Sequence, residues 1–248
     1  CMKSMREWRG MTPSMRCNNR CRMCEVHTQA HGFEELPDTL YASIRELLPA
    51  LRNLSFGGAE PLMASRFPAL LRECDADRHP DLELTVTTNG LLLTPAMLSD
   101  MARPRFNTII VSVNAATPEA YDLISGTTGR FPRVVANIRA LVEAARGWRW
   151  QPDIQLSHVV TTSTWRETAA FIALARSLGT AFRLLPVEYD RLGESIFTDL
   201  DTMRAVLAHF ERDVRPLVAD LPPVLRAQAT MMEARLRERI EAGRTGPL

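Results

Sequence analysis

The chain has 248 residues, 46% of them hydrophobic and 24% charged, with 30 basic against 29 acidic side chains and a formal net charge of +1. That length can bury a self-supporting core, and the balanced charge excludes bulk attraction to a phosphate polymer. No apolar run approaches the ~20 residues that a spanning helix needs, and no signal-peptide, low-complexity or repeat pattern stands out, so a cytoplasmic location is expected.

The chain begins with Cys1 rather than methionine and ends in Gly246-Pro-Leu248, which gives it the look of a fragment. Cys1 is read as an accident of where the sequence starts rather than as the last ligand of an upstream motif. A first strand is expected from Met11 to Met15. It leads into Arg16-Cys-Asn-Asn-Arg-Cys-Arg-Met-Cys-Glu25, where Cys17, Cys21 and Cys24 follow a CxxxCxxC spacing. Three thiolates on one tight loop grip metal. In a cubic 4Fe-4S cluster each iron wants a ligand beyond its sulfides, so three cysteines leave one iron open to chemistry. A second reading stays open, because His27 follows Cys24 at a spacing that would complete a closed Cys3His zinc site. The five cysteines show no paired framework, which argues against disulfides and for a reducing compartment.

A strand over Asn53 to Phe56 ends in Gly57-Gly-Ala-Glu-Pro61. Paired glycines let backbone approach a ligand closely, and Glu60 can accept hydrogen bonds from a cationic amine; an ordinary strand-to-helix turn would read the same. Cys74, in the apolar run from Leu70, belongs to a helix core. The next strand, Leu82 to Thr87, runs into Thr87-Thr-Asn-Gly90, whose Asn-Gly pair either borders a pocket or simply turns. Further strands are expected at Thr108 to Val113, Ile154 to Thr161 and Ala181 to Val187. Thr94-Pro95 and Thr117-Pro118 place a cap before a first-turn proline, Thr164-Trp-Arg-Glu167 reads as a capping box, and Gly179 closes a helix.

Six strand-helix units predict an α/β fold with a parallel sheet, its ligands collecting at the carboxyl ends of the strands. Beyond Arg191, Met203, Val206, Leu207 and Phe210 mark one amphipathic helix. Leu225, Met232, Leu236 and Ile240 mark another after Pro222-Pro223. Arg235, Arg237 and Arg239 interleave with Glu233, Glu238 and Glu241 as on a solvated face, so nucleic-acid binding is not expected. The chain thus divides into a lead over 1–10, a core over 11–195 and a helical extension over 196–248.

Taken together, the cysteine loop and the Gly57–Pro61 turn resemble the signature of the radical S-adenosylmethionine (SAM) superfamily. The likeness runs from about Met11 to about Glu188. Thr87–Gly90, Ile109-Ile-Val-Ser-Val-Asn114 and Thr117-Pro-Glu-Ala-Tyr121 follow in the family's order. The resemblance implies a partial (β/α)6 TIM-like barrel with C-terminal helices. It also implies a 4Fe-4S cluster on Cys17, Cys21 and Cys24 whose open iron chelates SAM. Reductive cleavage of SAM would give a 5′-deoxyadenosyl radical that abstracts a substrate hydrogen, making the protein an oxidoreductase or a transferase; a cluster-binding regulator is a third reading.

By the same resemblance, Gly57, Gly58, Ala59 and Glu60 hold the methionyl amine, Ser112 and Asn114 meet the carboxylate or ribose, Asn89 borders the pocket, and Met23 lies against adenine. Ser112 and Asn114 read equally well as turn-capping residues. Two departures stand out: Ala59 lengthens the Gly-Gly-Glu-Pro turn, so that Glu60 is either pushed outward or absorbed by a bulge, and Leu123-Ile-Ser-Gly126 offers Ser125 where the family often has arginine. The asparagine-rich cysteine loop looks most like the peptide- and protein-modifying branch, whose members append SPASM or twitch domains. No cysteine follows Cys74 here. A peptide or small-molecule substrate and an electron donor such as flavodoxin or ferredoxin are implied, with His158, Arg183 and Glu188 either lining the pocket or flanking their strands at the surface.

Overall fold

The computed structural model describes residues 7–27, 34–187 and 192–246; Cys1, Glu188 and Arg191 lie outside them. Six strands, β1 (Glu7–Met11), β2 (Asn53–Phe56), β3 (Glu83–Thr88), β4 (Phe106–Ser112), β5 (Asp153–Val160) and β6 (Ala181–Pro186), form one sheet in chain order. The pairs β1–β2, β2–β3 and β3–β4 are parallel. Parallel neighbours need a crossover between them. Those crossovers are α1 (Asp38–Leu47), α2 (Phe67–Glu73), α3 (Pro95–Met101), α4 (Pro118–Ser125) with α5 (Phe131–Arg146), and α6 (Thr168–Ser177). The α/β alternation read from the sequence is therefore the observed one.

The first strand is a correction. It lies at Glu7–Met11, upstream of the expected Met11–Met15. Pro13 has no N–H to give a ladder, and past Met11 the chain leaves the sheet. Met15 N donates to Glu34 O at 2.8 Å, and Ser14 makes an isolated antiparallel bridge with Glu35.

Two compact units divide the chain without following its order: one draws on 1–18, 26–112 and 133–155, the other on 19–25, 113–132 and 156–248. In the first, Leu54, Phe56, Leu84, Val86 and Ile109 from the strands and Phe67, Leu70 and Leu71 from α2 are buried. Burying each such side chain contributes ~1.5–3 kcal/mol. Phe56 and Phe67 meet edge to face at 5.0 Å. Cys74 ends α2 at 1% exposure, burial pushing its thiol up to about 12, as fits a core position.

In the second unit, Leu156, Val160, Phe171, Ile172 and Phe182 are buried together with Met203, Val206, Phe210 and Leu236 of the C-terminal helices. Those helices are α7 (Leu200–His209), α8 (Arg215–Val218) and α9 (Pro223–Glu241), with a π-helical turn over Phe210–Val214. Leu207, Leu225 and Ile240 are half-buried. Glu233 departs from the solvated face expected of α9: it is buried and bonded by Arg215 Nε at 3.2 Å.

Thr94 and Thr117 cap α3 and α4 as expected, accepting from Met97 N and Ala120 N at 3.3 Å. Gly179 takes φ 70° just beyond α6. The Thr164–Glu167 capping box does not form. Thr164 Oγ1 turns to Thr161 Oγ1 at 2.9 Å, while Glu167 Oε2 accepts from Ala116 N, Thr117 N and Thr117 Oγ1, each at 3.0 Å. The unpaired amides at the start of a helix are strong donors that favour a carboxylate, and α4 wins Glu167 from its own segment.

Candidate active site

In the first unit, the turn after β2 is stitched to the segment before Cys17: Gly57 N donates to Met11 O at 3.0 Å and Glu60 N to Arg16 O at 3.1 Å. Gly58 has φ 95°, and a Cβ there would lie 2.4 Å from Thr12 Cγ2. Both facts demand glycine. Ala59 has no such backbone, since Asn114 is the one non-glycine at positive φ among the described residues.

The extra alanine does not push Glu60 outward, for its carboxylate is fully buried. Oε1 accepts from Thr88 Oγ1 at 2.7 Å and Leu62 N at 3.1 Å, and Oε2 from Asn89 N at 2.7 Å. Burial raises its pKa, and these three bonds oppose the rise. Asn89 carries the chain of bonds onward. Its Nδ2 donates to Asn18 Oδ1 at 2.6 Å and lies 3.8 Å from Cys17 Sγ, while its Oδ1 accepts from Leu91 N at 3.0 Å. Glu60, Asn89 and Cys17 are thus brought together, with Thr88 and Asn18 as links whose roles the motif had not assigned.

In the second unit, the loop holding Cys21, Met23 and Cys24 is seated on the end of α4. Arg20 N donates to Ser125 O at 2.8 Å and Arg22 N to Ile124 O at 2.9 Å, which satisfies two of the carbonyls a helix leaves unpaired. Gly126 has φ 63°, and a Cβ there would meet Arg20 O at 2.5 Å. Ser125 is buried, its Oγ 2.7 Å from Thr127 Oγ1. It serves the loop through its carbonyl. Asn19 is buried with Nδ2 3.4 Å from Tyr121 OH. Only the Leu123–Gly126 motif hinted at this seat, and it was read for its side chains.

At the sheet's carboxyl edge, Ser112 and Gly57 are half-buried and Gly58 is exposed. Asn114, at φ 62°, accepts from Val159 N through Oδ1 at 2.9 Å and donates its own N–H to Ser157 O at 3.2 Å. His158 lies neither in a pocket nor at the surface: it is fully buried and stacked on Phe171 at 4.9 Å. Arg183 lines a cavity of about 620 Å³ with Leu185, Gln228, Met231 and Arg235.

Cys17, Cys21 and Cys24 are half-buried and form no disulfide among the described residues. Soft thiolate donors on a loop outside regular secondary structure suit an iron-sulfur cluster, so the donor set fits the group. Among the described residues no three His, Cys, Asp or Glu side chains converge as a metal site, the three loop cysteines included, and His27 is exposed.

The fold is an α/β sheet whose first strand is followed in the chain by the three cysteines and whose second is followed by the glycine turn. The family model of the radical SAM superfamily matches residues 11–148, and the chain belongs to that superfamily. Its cofactors are accordingly a 4Fe-4S cluster and SAM. The mycofactocin maturase MftC of Mycobacterium tuberculosis is 26% identical over 186 residues, 74% of this chain and 45% of that protein. A probable GTP 3′,8-cyclase of Methanococcus vannielii is 29% identical over 113 residues, 44% of this chain and 37% of that protein. Among solved structures, Streptococcus suis SuiB bound to SAM superposes with TM-score 0.62 at 15% identity, covering 82% of this chain and 46% of that one. SuiB bound to precursor peptide SuiA gives 0.61 at 15% identity, covering 82% and 44%. The chain spans less than half the length of these relatives. None of its described helices is long and apolar enough to cross a membrane.

Proposed function

We propose that this chain is the core of a radical SAM enzyme that modifies a peptide or protein in the cytoplasm. The observation that carries the reading is the match to a maturase along 186 residues, 74% of the chain; the likeness to a fold seen bound to a precursor peptide supports the substrate class. The match to a GTP cyclase favours a second reading, a small-molecule substrate.

The cluster and SAM, when bound, supply one-electron cleavage of the sulfonium and a radical able to abstract hydrogen. The protein holds and orients. Cys17, Cys21 and Cys24 ligate the cluster. The backbone of Gly57, Gly58 and Ala59 takes the methionyl amine. Glu60, committed to Thr88, Leu62 and Asn89, fixes that turn rather than carrying the whole charge. Asn89, Ser112 and Asn114 would border the methionyl and ribose groups, and Met23 would face adenine. The electron comes from a flavodoxin- or ferredoxin-type donor.

The test is anaerobic reconstitution with iron and sulfide, followed by dithionite and SAM, with 5′-deoxyadenosine as the readout. Product is expected from the wild type and from Cys74→Ala and His27→Ala, and none from Cys17→Ala, Cys21→Ala or Cys24→Ala. Cluster retained after all three loop cysteines are replaced would sink the reading; metal binding that depends on His27 would return it to zinc.

A further inference from the structure

We propose that Glu194 is a positioning residue of the cysteine loop, acting through Arg22. Arg22 stands between Cys21 and Cys24, and its Nε donates to Glu194 Oε1 at 2.6 Å. Glu194 is 2% exposed, whereas the Arg22 side chain is half in solvent at 51%.

Before it reaches Arg22, the glutamate is already fixed from the segment after β5. Its carboxylate accepts from Ser163 Oγ at 3.0 Å, Thr162 Oγ1 at 3.2 Å and Ser163 N at 3.4 Å. Its backbone O accepts from Thr162 N at 3.0 Å, and the neighbouring Ser195 bridges Thr161. Burial alone would raise the Glu194 pKa; the bonds from Arg22 and Ser163 outweigh it and hold the carboxyl below its usual range.

A carboxylate with this many donors is an immobile anchor, and a charge-assisted bond to it is short and directional. The pair adds a side-chain tether to the peptide between the second and third cysteines, at the residue whose backbone N–H is already held by Ile124 O of α4. A half-exposed ion pair adds little to global stability, so its service is geometric. Through it the chain beyond β6 becomes part of the cluster site, and one role of the C-terminal segment is to keep Cys21 and Cys24 in place.

This rests on the cluster reading above, and the experiment separates the two. The full chain is reconstituted anaerobically as wild type, Arg22→Ala, Arg22→Lys, Glu194→Gln, the Arg22→Ala/Glu194→Gln double variant and Glu233→Gln, a second buried ion-paired glutamate remote from the loop in sequence. The readouts are iron and sulfide per chain, the half-life of the visible cluster band in air, and the melting temperature of the iron-free chain. Arg22→Ala and Glu194→Gln are each expected to shorten the half-life about tenfold, the effect of losing one charge-assisted hydrogen bond. The double variant should be no worse than either single one, because the two residues act as one unit. Arg22→Lys should recover part of the loss. Glu233→Gln should leave the half-life alone. A wild-type half-life in Arg22→Ala, additive losses in the double variant, or an equal loss in Glu233→Gln each overturns the proposal. Failure of the wild type itself to load a cluster overturns the cluster reading instead.

Discussion

Gly126→Ala is expected to leave the chain folded and to cut iron incorporation by about tenfold or more, the size of two backbone hydrogen bonds of ~1 kcal/mol each. Two costs coincide at this position. At φ 63° an L side chain is strained, by ~1–2 kcal/mol. A Cβ would also meet the Arg20 carbonyl oxygen at 2.5 Å, and backbone cannot yield as a side-chain tip can. Relief requires the loop to lift from α4, which breaks the bonds from Arg20 N to Ser125 O and from Arg22 N to Ile124 O. Gly129→Ala is the matched control: its φ is 69° and nothing lies within 4 Å of an added Cβ. It should lose the strain energy in melting temperature and load iron normally. Equal iron content in the two variants would show that the seat on α4 does not govern the loop.

Acidification should destabilise the iron-free chain by about 3 kcal/mol between pH 6.5 and pH 4 through His158 alone, the size of a ~2.5-unit depression in pKa. Burial holds the imidazole neutral and lowers its pKa from 6.5 to about 4, the nearby Asn114 backbone opposing the shift in small part. The ring is stacked on Phe171, with Nε2 3.2 Å from Thr168 Oγ1. As pH falls through 6.5 the unfolded chain takes up a proton that the native chain refuses. Stability is therefore complete above 6.5, falls as pH drops, and levels off below 4. His158→Phe removes the titration, and Thr168 keeps its bond to Trp165 O at 2.8 Å. Urea unfolding at pH 7 and pH 4.5 is the measurement: the gap between the two pH values should narrow in the variant. Parallel losses in both proteins would mean that the ring is not held neutral.

How much of this was legible in the sequence depends on which atoms do the work. The strands β2 to β6 were visible because β-branched apolar runs between turn signals write burial directly into residue type. The glycine turn was visible because the left-handed backbone at Gly58 demands one residue type. The first strand was misplaced because two methionines around Pro13 look apolar, while the ladder is decided by N–H groups that proline lacks. The capping box at Thr164 failed because Glu167 had a better offer from α4, more than forty residues earlier in the chain. The seat of the cysteine loop on Ile124 and Ser125 was hidden for a related reason: it is made of backbone carbonyls, which every residue carries. Arg22 and Glu194 are far apart in the chain, and no local pattern joins them.

The burial of Cys74 gives the molecule a built-in reference for thiol chemistry. Alkylation proceeds through the thiolate, and a thiol pushed up to about 12 and 1% exposed is silent to iodoacetamide near neutral pH while the fold holds. The half-buried Cys17, Cys21 and Cys24 are open to the reagent unless they are engaged. Peptide-by-peptide mass spectrometry of a brief alkylation pulse therefore reports two things at once: label at the loop cysteines counts chains without a cluster, and label at Cys74 counts chains that have unfolded.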